Sequence, residues 1–219
     1  MPPTNTTITI RQATPDDAGE LITVLVEAFL DGPVADWLIP DPEDRRAVYF
    51  RYFKLIFHHG LQHGRVDTTT DRSAVAIWYT RDEIPPAGAT AMYYEVEQAT
   101  GKYAPRFLLL DAMFETHHPR VPHDYLAYMA VDPRHQNRGV GSALLNSAHQ
   151  ALDAANRAAY LEASNTRNRD LYRRLGYRQG PPMHLPTAGP TIWRMWRGQP
   201  NGGVPARFPE DMLPLRRLR

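Results

Sequence analysis

Residues 126–141 constrain the fold of this 219-residue chain more than any other stretch. The apolar and aromatic run at 126–131 predicts a buried strand, which a proline-containing turn then ends. Gly139 and Gly141 follow, directly before apolar residues spaced three and four apart that predict a helix over 140–155. A strand, a glycine turn and a helix N-terminus leave unpaired backbone N–H groups at the positive end of the helix dipole. The stretch is therefore predicted to bind an anion, above all a phosphate.

The spacing of the glycines distinguishes among the known phosphate motifs. A dinucleotide fingerprint needs a third glycine where the chain has Leu144, and a P-loop needs Gly-Lys-Ser/Thr, which is absent. Residues 136–141, Gln-Asn-Arg-Gly-Val-Gly, match Gln/Arg-x-x-Gly-x-Gly/Ala instead. In this run the chain resembles the acyl-CoA signature of the GNAT superfamily of N-acetyltransferases. From these six residues alone a purely structural turn stays open as the alternative, since glycine also serves tight turns and close packing.

A second motif lies in residues 159–177. A short apolar strand is followed by a helix on which Asn165, Asn168 and Tyr172 share one face, and Gly176 is the expected left-handed stop. Spacing alone leaves open that the asparagines only cap and solvate the helix while Tyr172 packs. The stretch also resembles the second GNAT motif, an asparagine near the helix start followed by Leu-Tyr-x-x-x-Gly-Phe/Tyr. Two motifs in the family's order are much more specific than either one.

The resemblance extends over roughly residues 8–197 and implies an α/β (α+β) fold. A single GNAT-like domain has a mixed, twisted sheet of about seven strands flanked by helices and splayed at its central strand. Periodicity and turn residues predict the other elements: an edge strand at 8–11, helices beginning near 14 and 41, a hairpin over 65–68 and 74–79, helices near 89–100 and 105–117, and a closing strand at 191–196. We expect this domain to span 1–197 and a Pro/Gly/Arg-rich tail to span 198–219.

The resemblance also assigns residues to acetyl-CoA or another acyl-CoA as co-substrate. The main chain of the splayed strand should bind the pantetheine arm, and the backbone from residue 138 to 142 should bind the pyrophosphate, with the Arg138 side chain as an extra charge. The residues so implied are Met129, Ala130, Val131, Gln136, Arg138, Gly139, Val140, Gly141, Ser142 and Asn168. Asn137 departs from the pattern, because related chains often have glycine there, and asparagine tolerates unusual backbone angles less readily than glycine.

Direct attack of an amine on the thioester is the mechanism expected of a chain without cysteine. Tyr172 is predicted to protonate the departing thiolate, because a phenol pKa of about 10 and a thiol pKa of about 8.5 are close enough for transfer. Glu162, at the end of the strand beside the splay, is the first choice for the base, acting through water. A substrate-orienting or salt-bridged glutamate is the equal alternative, and His123 and Asp124 are weaker candidates for the base.

Charge and composition exclude several other classes of function. The 25 basic and 24 acidic residues create no sequence-wide field, so neither nucleic acid nor a membrane is expected as a partner. The start of the chain does not resemble a signal peptide, so a cytoplasmic protein is expected. The histidines at 58, 59, 63, 117, 118 and 123 form no metal motif, so we expect no metal and interpret their spacing as that of solvated helix ends.

The acceptor is the least constrained part of the prediction. Shorter runs between residues 123 and 177 are similar to puromycin N-acetyltransferase and related actinobacterial enzymes, which implies a primary amine on a small molecule such as an aminonucleoside or an antibiotic-like metabolite. A protein lysine or N-terminus, an acyl carrier protein as donor, and a non-catalytic coenzyme A-binding module are the alternatives. Trp37 with Asp31 and Asp36 would suit an acceptor pocket, although an aromatic that packs its loop onto the core is favoured. The oligomeric state is left open, a homodimer included.

Overall fold

A mixed sheet of eight strands is the centre of the computed structural model, which describes residues 8–82 and 89–199. The strands are β1 (Ile10–Gln12), β2 (Arg65–Thr69), β3 (Ala74–Arg81), β4 (His123–Val131), β5 (Ala159–Ala163), β6 (Arg178–Gln179), β7 (Met183–His184) and β8 (Thr191–Arg197). The helices are α1 (Ala18–Phe29), α2 (Pro33–Leu38), α3 (Pro42–His63), α4 (Ala89–Thr100), α5 (Ala104–His117), α6 (Val140–Ala154) and α7 (Thr166–Arg174). The strand order is β1-β2-β3-β4-β5-β8-β6, and β7 pairs with β8.

The sheet opens between β4 and β5. β4 is antiparallel to β3 along its whole length, from Arg81↔His123 to Ala74↔Val131. Its parallel pairing with β5 covers only three positions, from Asp124↔Ala159 to Leu126↔Leu161. Beyond Leu126 the described residues give β4 no partner strand on its β5 side, which confirms the predicted splay of a mixed sheet.

Two cores cover the two faces of the sheet. Alternation along β3 sends Val75 and Ile77 into the core built with α1 and α3, and sends Ala76 and Trp78 into the core built with α6 and α7. The α6 side contributes residues such as Leu144, which is 1% exposed. Each face of the splayed region is therefore backed by helices, and the opening runs between two packed layers.

Local sequence explains the ends of the helices. Asp41 caps α3 by accepting a hydrogen bond from the Glu43 N–H, and Asn165 caps α7 by accepting one from the Asn168 N–H at 2.8 Å. Gly176 follows α7 with φ +91°, the left-handed conformation predicted for it. The two-residue strands β6 and β7 were not predicted, since so short a run carries no periodicity.

The segment at 34–40, which was expected to be the loop that carries Trp37, contains most of α2. Its Trp37 is buried and its indole N–H donates to the Pro186 carbonyl at 2.9 Å. Trp37 therefore packs the segment onto the core, which is the role that the sequence analysis favoured for it. Asp36 is exposed and forms an ion pair with Arg45 at 2.7 Å.

The interpretation of the histidines as solvated helix ends is wrong for two of them. His118 is 5% exposed and His123 is 0% exposed, and their Nε2 atoms lie 3.0 Å apart. The His123 Nδ1–H donates to the Val121 carbonyl at 2.7 Å, so the His123 Nε2 accepts from His118. This internal pairing lets two neutral imidazoles lie in the core, which spacing in the sequence did not indicate.

The predicted tail lies almost wholly outside the described residues, which end at 199, and so the boundary at 198 stays a prediction. Within residues 8–82 and 89–199, no helix combines the length and apolarity that crossing a membrane requires.

Candidate active site

The separation of β4 from β5 opens a cavity of about 830 Å³. One side of the cavity comes from β4, from the loop and helix start that follow β4, and from the end of β5 with α7, and the other side comes from α1, α2, α3 and α5. Nearly all the predicted site residues line it: Met129, Ala130, Val131, Gln136, Gly139, Val140, Gly141, Ser142, Glu162, Asn168 and Tyr172. Arg138 is the exception, because its side chain is exposed and is not part of the cavity wall.

The start of α6 offers backbone donors to this cavity. Gly139 is the N-cap residue with φ +82°, a conformation that glycine adopts readily. The Ala143 N–H donates to the Gly139 carbonyl at 2.9 Å as the helix begins. The N–H groups of Val140, Gly141 and Ser142 consequently have no acceptor within the helix, and these residues line the cavity. The positive end of the helix dipole can thus receive a phosphate there.

Arg167, which sequence reasoning missed, ties this loop to α7. Its guanidinium donates to the side-chain oxygens of Asn137 at 2.7 Å and of Gln136 at 3.2 Å. Asn137 has φ +62°, in the left-handed region that glycine favours. Asparagine tolerates this region, and its side chain accepts the hydrogen bond from Arg167 that a glycine could not make. Gln136 in turn donates to the Val131 carbonyl at 3.2 Å. The sequence gives no direct signal for Arg167, because its role depends on two distant motifs meeting in space.

Glu162 and Tyr172 reach the cavity from opposite faces of the sheet. Leu161 and Ala163 belong to the core that contains Tyr172, whereas Tyr160 belongs to the small core on the other face. Since side chains alternate along a strand, Glu162 points to the same face as Tyr160. A molecule held in the opening therefore has a carboxylate on one side and a phenol on the other.

Burial raises the pKa of the Glu162 carboxyl to about 7. The hydroxyls of Tyr125 and Tyr160 and the positive charges of Arg81 and Arg194 act against this rise. The phenols are close enough to act electrostatically, but among the described residues neither Glu162 Oε1 nor Tyr160 Oη has a hydrogen-bond partner of good geometry. A half-buried carboxylate with an unsatisfied oxygen and a pKa near neutrality is suited to accept a proton.

Tyr172 is 5% exposed, and burial raises the pKa of its phenol above the usual value. The described residues offer its hydroxyl no hydrogen-bond partner, although its ring packs at 5.9 Å from that of Tyr177. Tyr172 is therefore protonated at neutral pH and can act as a proton donor toward the cavity.

The weaker candidates for the base lie away from the cavity. Asp124 forms an ion pair with Arg157 and accepts a hydrogen bond from the Thr80 hydroxyl at 3.0 Å. Burial lowers the pKa of His123 to about 4, and its Nδ1 and Nε2 are both engaged. Among the described residues, no three Asp, Glu, His or Cys side chains are grouped so that they could hold a metal ion.

Comparison with known proteins places this geometry in a family. Residues 107–179 match the model described as an acetyltransferase (GNAT) domain. A Corynebacterium glutamicum protein, described as histone acetyltransferase HPA2 and related acetyltransferase, is 30% identical, and the match covers 89% of this chain and 97% of that one with a TM-score of 0.69. The chain belongs to the GNAT acetyltransferases. It is an N-acetyltransferase, and enzymes of this family use acetyl-CoA as their co-substrate.

More distant acetyltransferases share the fold. Drosophila melanogaster polyamine N-acetyltransferase, which forms N-acetylagmatine, is 16% identical, with a TM-score of 0.57 over 88% of this chain and 100% of its own. Arylalkylamine N-acetyltransferase 2 from Aedes aegypti is 13% identical, with a TM-score of 0.60 over 88% of this chain and 99% of its own. At these identities the likeness establishes the GNAT fold of the enzyme and not its acceptor.

Proposed function

We propose that this GNAT enzyme transfers the acetyl group of acetyl-CoA to a primary amine of a small molecule by direct attack in a ternary complex. The observation that carries the proposal is the opening between β4 and β5, which Glu162 reaches from one face of the sheet and Tyr172 from the other. An amine that approaches the thioester from the Glu162 side would displace the thiolate toward Tyr172.

The donor half of the cavity is suited to coenzyme A. The free edge of β4 at Met129–Val131 offers backbone groups to a pantetheine arm, and the N–H groups at the start of α6 suit a pyrophosphate. Arg167 adds a positive charge beside this loop, and Asn168 lies on the cavity wall at the start of α7. These contacts would place the thioester at the splay.

The residues that line the cavity can account for each proton that moves in the acetyl transfer. Glu162 takes a proton from the acceptor ammonium, directly or through water, and the neutral nitrogen attacks the thioester carbonyl. A backbone N–H of β4 stabilises the oxyanion as the new C–N bond forms. The C–S bond then breaks, and the thiolate takes the proton of Tyr172. The second proton of the nitrogen passes to solvent as the amide forms, Glu162 returns its proton to solvent, and Tyr172 is reprotonated.

A thiol-release assay tests the proposal. Acetyl-CoA would be incubated with small primary amines and with lysine peptides while the freed thiol is detected with a chromogenic disulfide. Release with small amines, and not with peptides, is expected. Release with peptides alone would assign the acceptor to proteins instead, and an absence of release with every amine would overturn the proposal. The aminonucleoside or antibiotic-like identity of the acceptor stays a prediction for the same panel.

Tyr172→Phe tests the assignment of the acid. Turnover should fall at least about a hundredfold, as is typical for removal of a general acid, while calorimetric affinity for coenzyme A stays within about twofold. Tyr177→Phe is the matched control, because Tyr177 is a neighbouring buried tyrosine whose hydroxyl bonds His149 at 3.1 Å and does not line the cavity. Equal turnover in both variants would refute the role of Tyr172.

A further inference from the structure

The face of the cavity opposite the coenzyme A loop is built largely from aromatic rings. We name it the acceptor chamber, and the rings that the argument uses are Phe29, Tyr52, Phe53, Phe114, Tyr125 and Tyr128. The rings come from α1, α3, α5 and β4, so four separate elements contribute to one aromatic wall. Phe29 and Phe53 pack at 5.2 Å, and Phe53 meets Tyr128 edge-on at 5.8 Å. A wall of interlocked rings is rigid and is already shaped before a ligand enters.

The polar atoms of this wall largely satisfy one another. The hydroxyls of Tyr52 and Tyr128 lie 2.6 Å apart and share a hydrogen bond. Burial raises the pKa of both phenols, so the pair carries no charge at neutral pH. These two rings consequently offer a ligand apolar faces and edges, and they offer no charge that would hold a second cationic group.

Carboxylates lining the cavity are unevenly placed. Glu162 is the carboxylate beside the chamber, and its Oε1 atom is buried and has no hydrogen-bond partner among the described residues. Glu27 forms an ion pair with Arg46, and Asp31 is exposed at the end of α1. Arg167 and Arg174 also line the cavity, but both lie on α7, the helix beside the coenzyme A loop. Asp111 of α5 acts electrostatically on Tyr52 and Tyr128 but does not line the cavity. One ammonium group is therefore accommodated beside Glu162, and a second one inside the chamber would lie against rings.

Resting on the proposed function, we infer that the acceptor is a primary monoamine with an aromatic or similarly flat apolar body. Its ring lies in the acceptor chamber, and its nitrogen reaches Glu162 at the splay. Edge-to-face and offset contacts with Phe114, Tyr52 and Tyr128 stabilise the ring. A polyamine lacks the body that this wall recognises and would carry a second charge into it.

The inference predicts an order of acceptors. With acetyl-CoA saturating, 2-phenylethylamine should have a kcat/KM at least about tenfold above that of butylamine or of 1,4-diaminobutane, since an apolar group that fills a pocket is worth tenfold or more. A kcat/KM for 1,4-diaminobutane equal to or above that for 2-phenylethylamine would overturn the inference and leave the proposed function intact. Thiol release with none of the amines tested would contradict the proposed function itself.

A variant pair links this order to the chamber. Phe114→Leu keeps an apolar side chain but removes the ring, and we expect kcat/KM for 2-phenylethylamine to fall about five- to tenfold. The values for butylamine and the KM for acetyl-CoA should change less than about twofold. Leu109→Ala is the control, because Leu109 lies on the same helix, is 41% exposed and does not line the cavity. A uniform loss with both amines, or the same loss in the control, would refute the assignment.

Discussion

Replacing Glu162 with glutamine should remove the base and also stabilise the folded chain above neutral pH. The pKa of Glu162 rises from 4.5 to about 7 on folding because the carboxyl is buried. The native state therefore holds its proton more tightly than the unfolded state, and stability falls as pH rises between these two values. At 1.36 kcal/mol per unit, the ionised carboxyl costs about 3 kcal/mol at pH 8. Below pH 4.5 this cost is absent.

Glutamine cannot ionise, so Glu162→Gln should relieve that cost without changing the shape of the side chain. The variant should gain up to about 3 kcal/mol in the free energy of unfolding relative to the wild type when pH is raised from 4.5 to 8. Its turnover should fall at least about a hundredfold, the usual effect of losing a general base. The wild-type profile of kcat/KM for the amine should contain an ascending limb near pH 7, and this limb should be missing from the variant.

Urea unfolding at pH 4.5 and pH 8, with kcat/KM measured between pH 5.5 and 10.5, gives both readouts from one pair of proteins. A limb set by the acceptor amine itself, near pH 10, should remain in both, which separates the ionisation of the substrate from that of Glu162. A variant that keeps the limb near pH 7, or that gains no stability at pH 8, would refute the assignment of Glu162 as a buried base. Lost activity without the stability gain would identify Glu162 as an ordinary solvated contact to the substrate.

Three further predictions concern the coenzyme A loop and the core. Arg167→Ala should weaken coenzyme A binding about five- to tenfold in calorimetry, with a smaller effect at high salt. Arg173→Ala, on the exposed face of the same helix, should leave the affinity unchanged, and equal affinities of the two variants for coenzyme A would contradict the role given to Arg167. Gly139→Ala should cost about 1 kcal/mol in thermal unfolding, because φ is +82° there while a Cβ would meet no atom within 4 Å; an unchanged Tm would mean that the loop relaxes. Burial lowers the pKa of His118 to about 2 and that of His123 to about 4. Below pH 6.5 these histidines therefore bind protons in the unfolded state and not in the native state, and the free energy of unfolding should fall by up to about 1.4 kcal/mol per histidine per pH unit. His118→Gln should flatten that slope in urea titrations at pH 7, 6 and 5, and an unchanged slope would contradict it.

The parts of the site that sequence predicts are those held by local geometry. A strand, a left-handed glycine at position 139 and the start of α6 follow one another in the chain, so their arrangement is already implied by spacing and by backbone preference. The same holds for Asn165, Tyr172 and Gly176, which a single helix and its caps place. Here local propensity and the tertiary structure agree.

The parts that sequence does not predict depend on elements that meet from a distance. Arg194 lies beside Glu162 only because β8 pairs with β5, and the last strand of the domain is far from Glu162 in the chain. Likewise the hydrogen bond between Tyr52 and Tyr128 joins positions 76 residues apart. The apolar spacing of α3 predicts that Tyr52 is turned inward, but it contains no information about which strand the ring meets. Pairings of this kind contribute to the pKa of the proposed base, Glu162, and to the shape of the acceptor chamber.

The proposed location of the reaction, where the sheet opens, also accounts for the unsatisfied groups of the described residues. A continuous pairing of β4 with β5 would bury the strand edge and leave no space for a thioester. Within residues 8–82 and 89–199, ending that pairing after Leu126 leaves backbone groups of β4 without a strand partner on this side, and Glu162 Oε1 and Tyr160 Oη on the adjoining strand have no hydrogen-bond partner. Such groups cost stability when they are buried and unpaired, so they persist where a bound substrate can satisfy them. Bound acetyl-CoA and amine should accordingly stabilise this region against hydrogen exchange more strongly than any other part of the sheet.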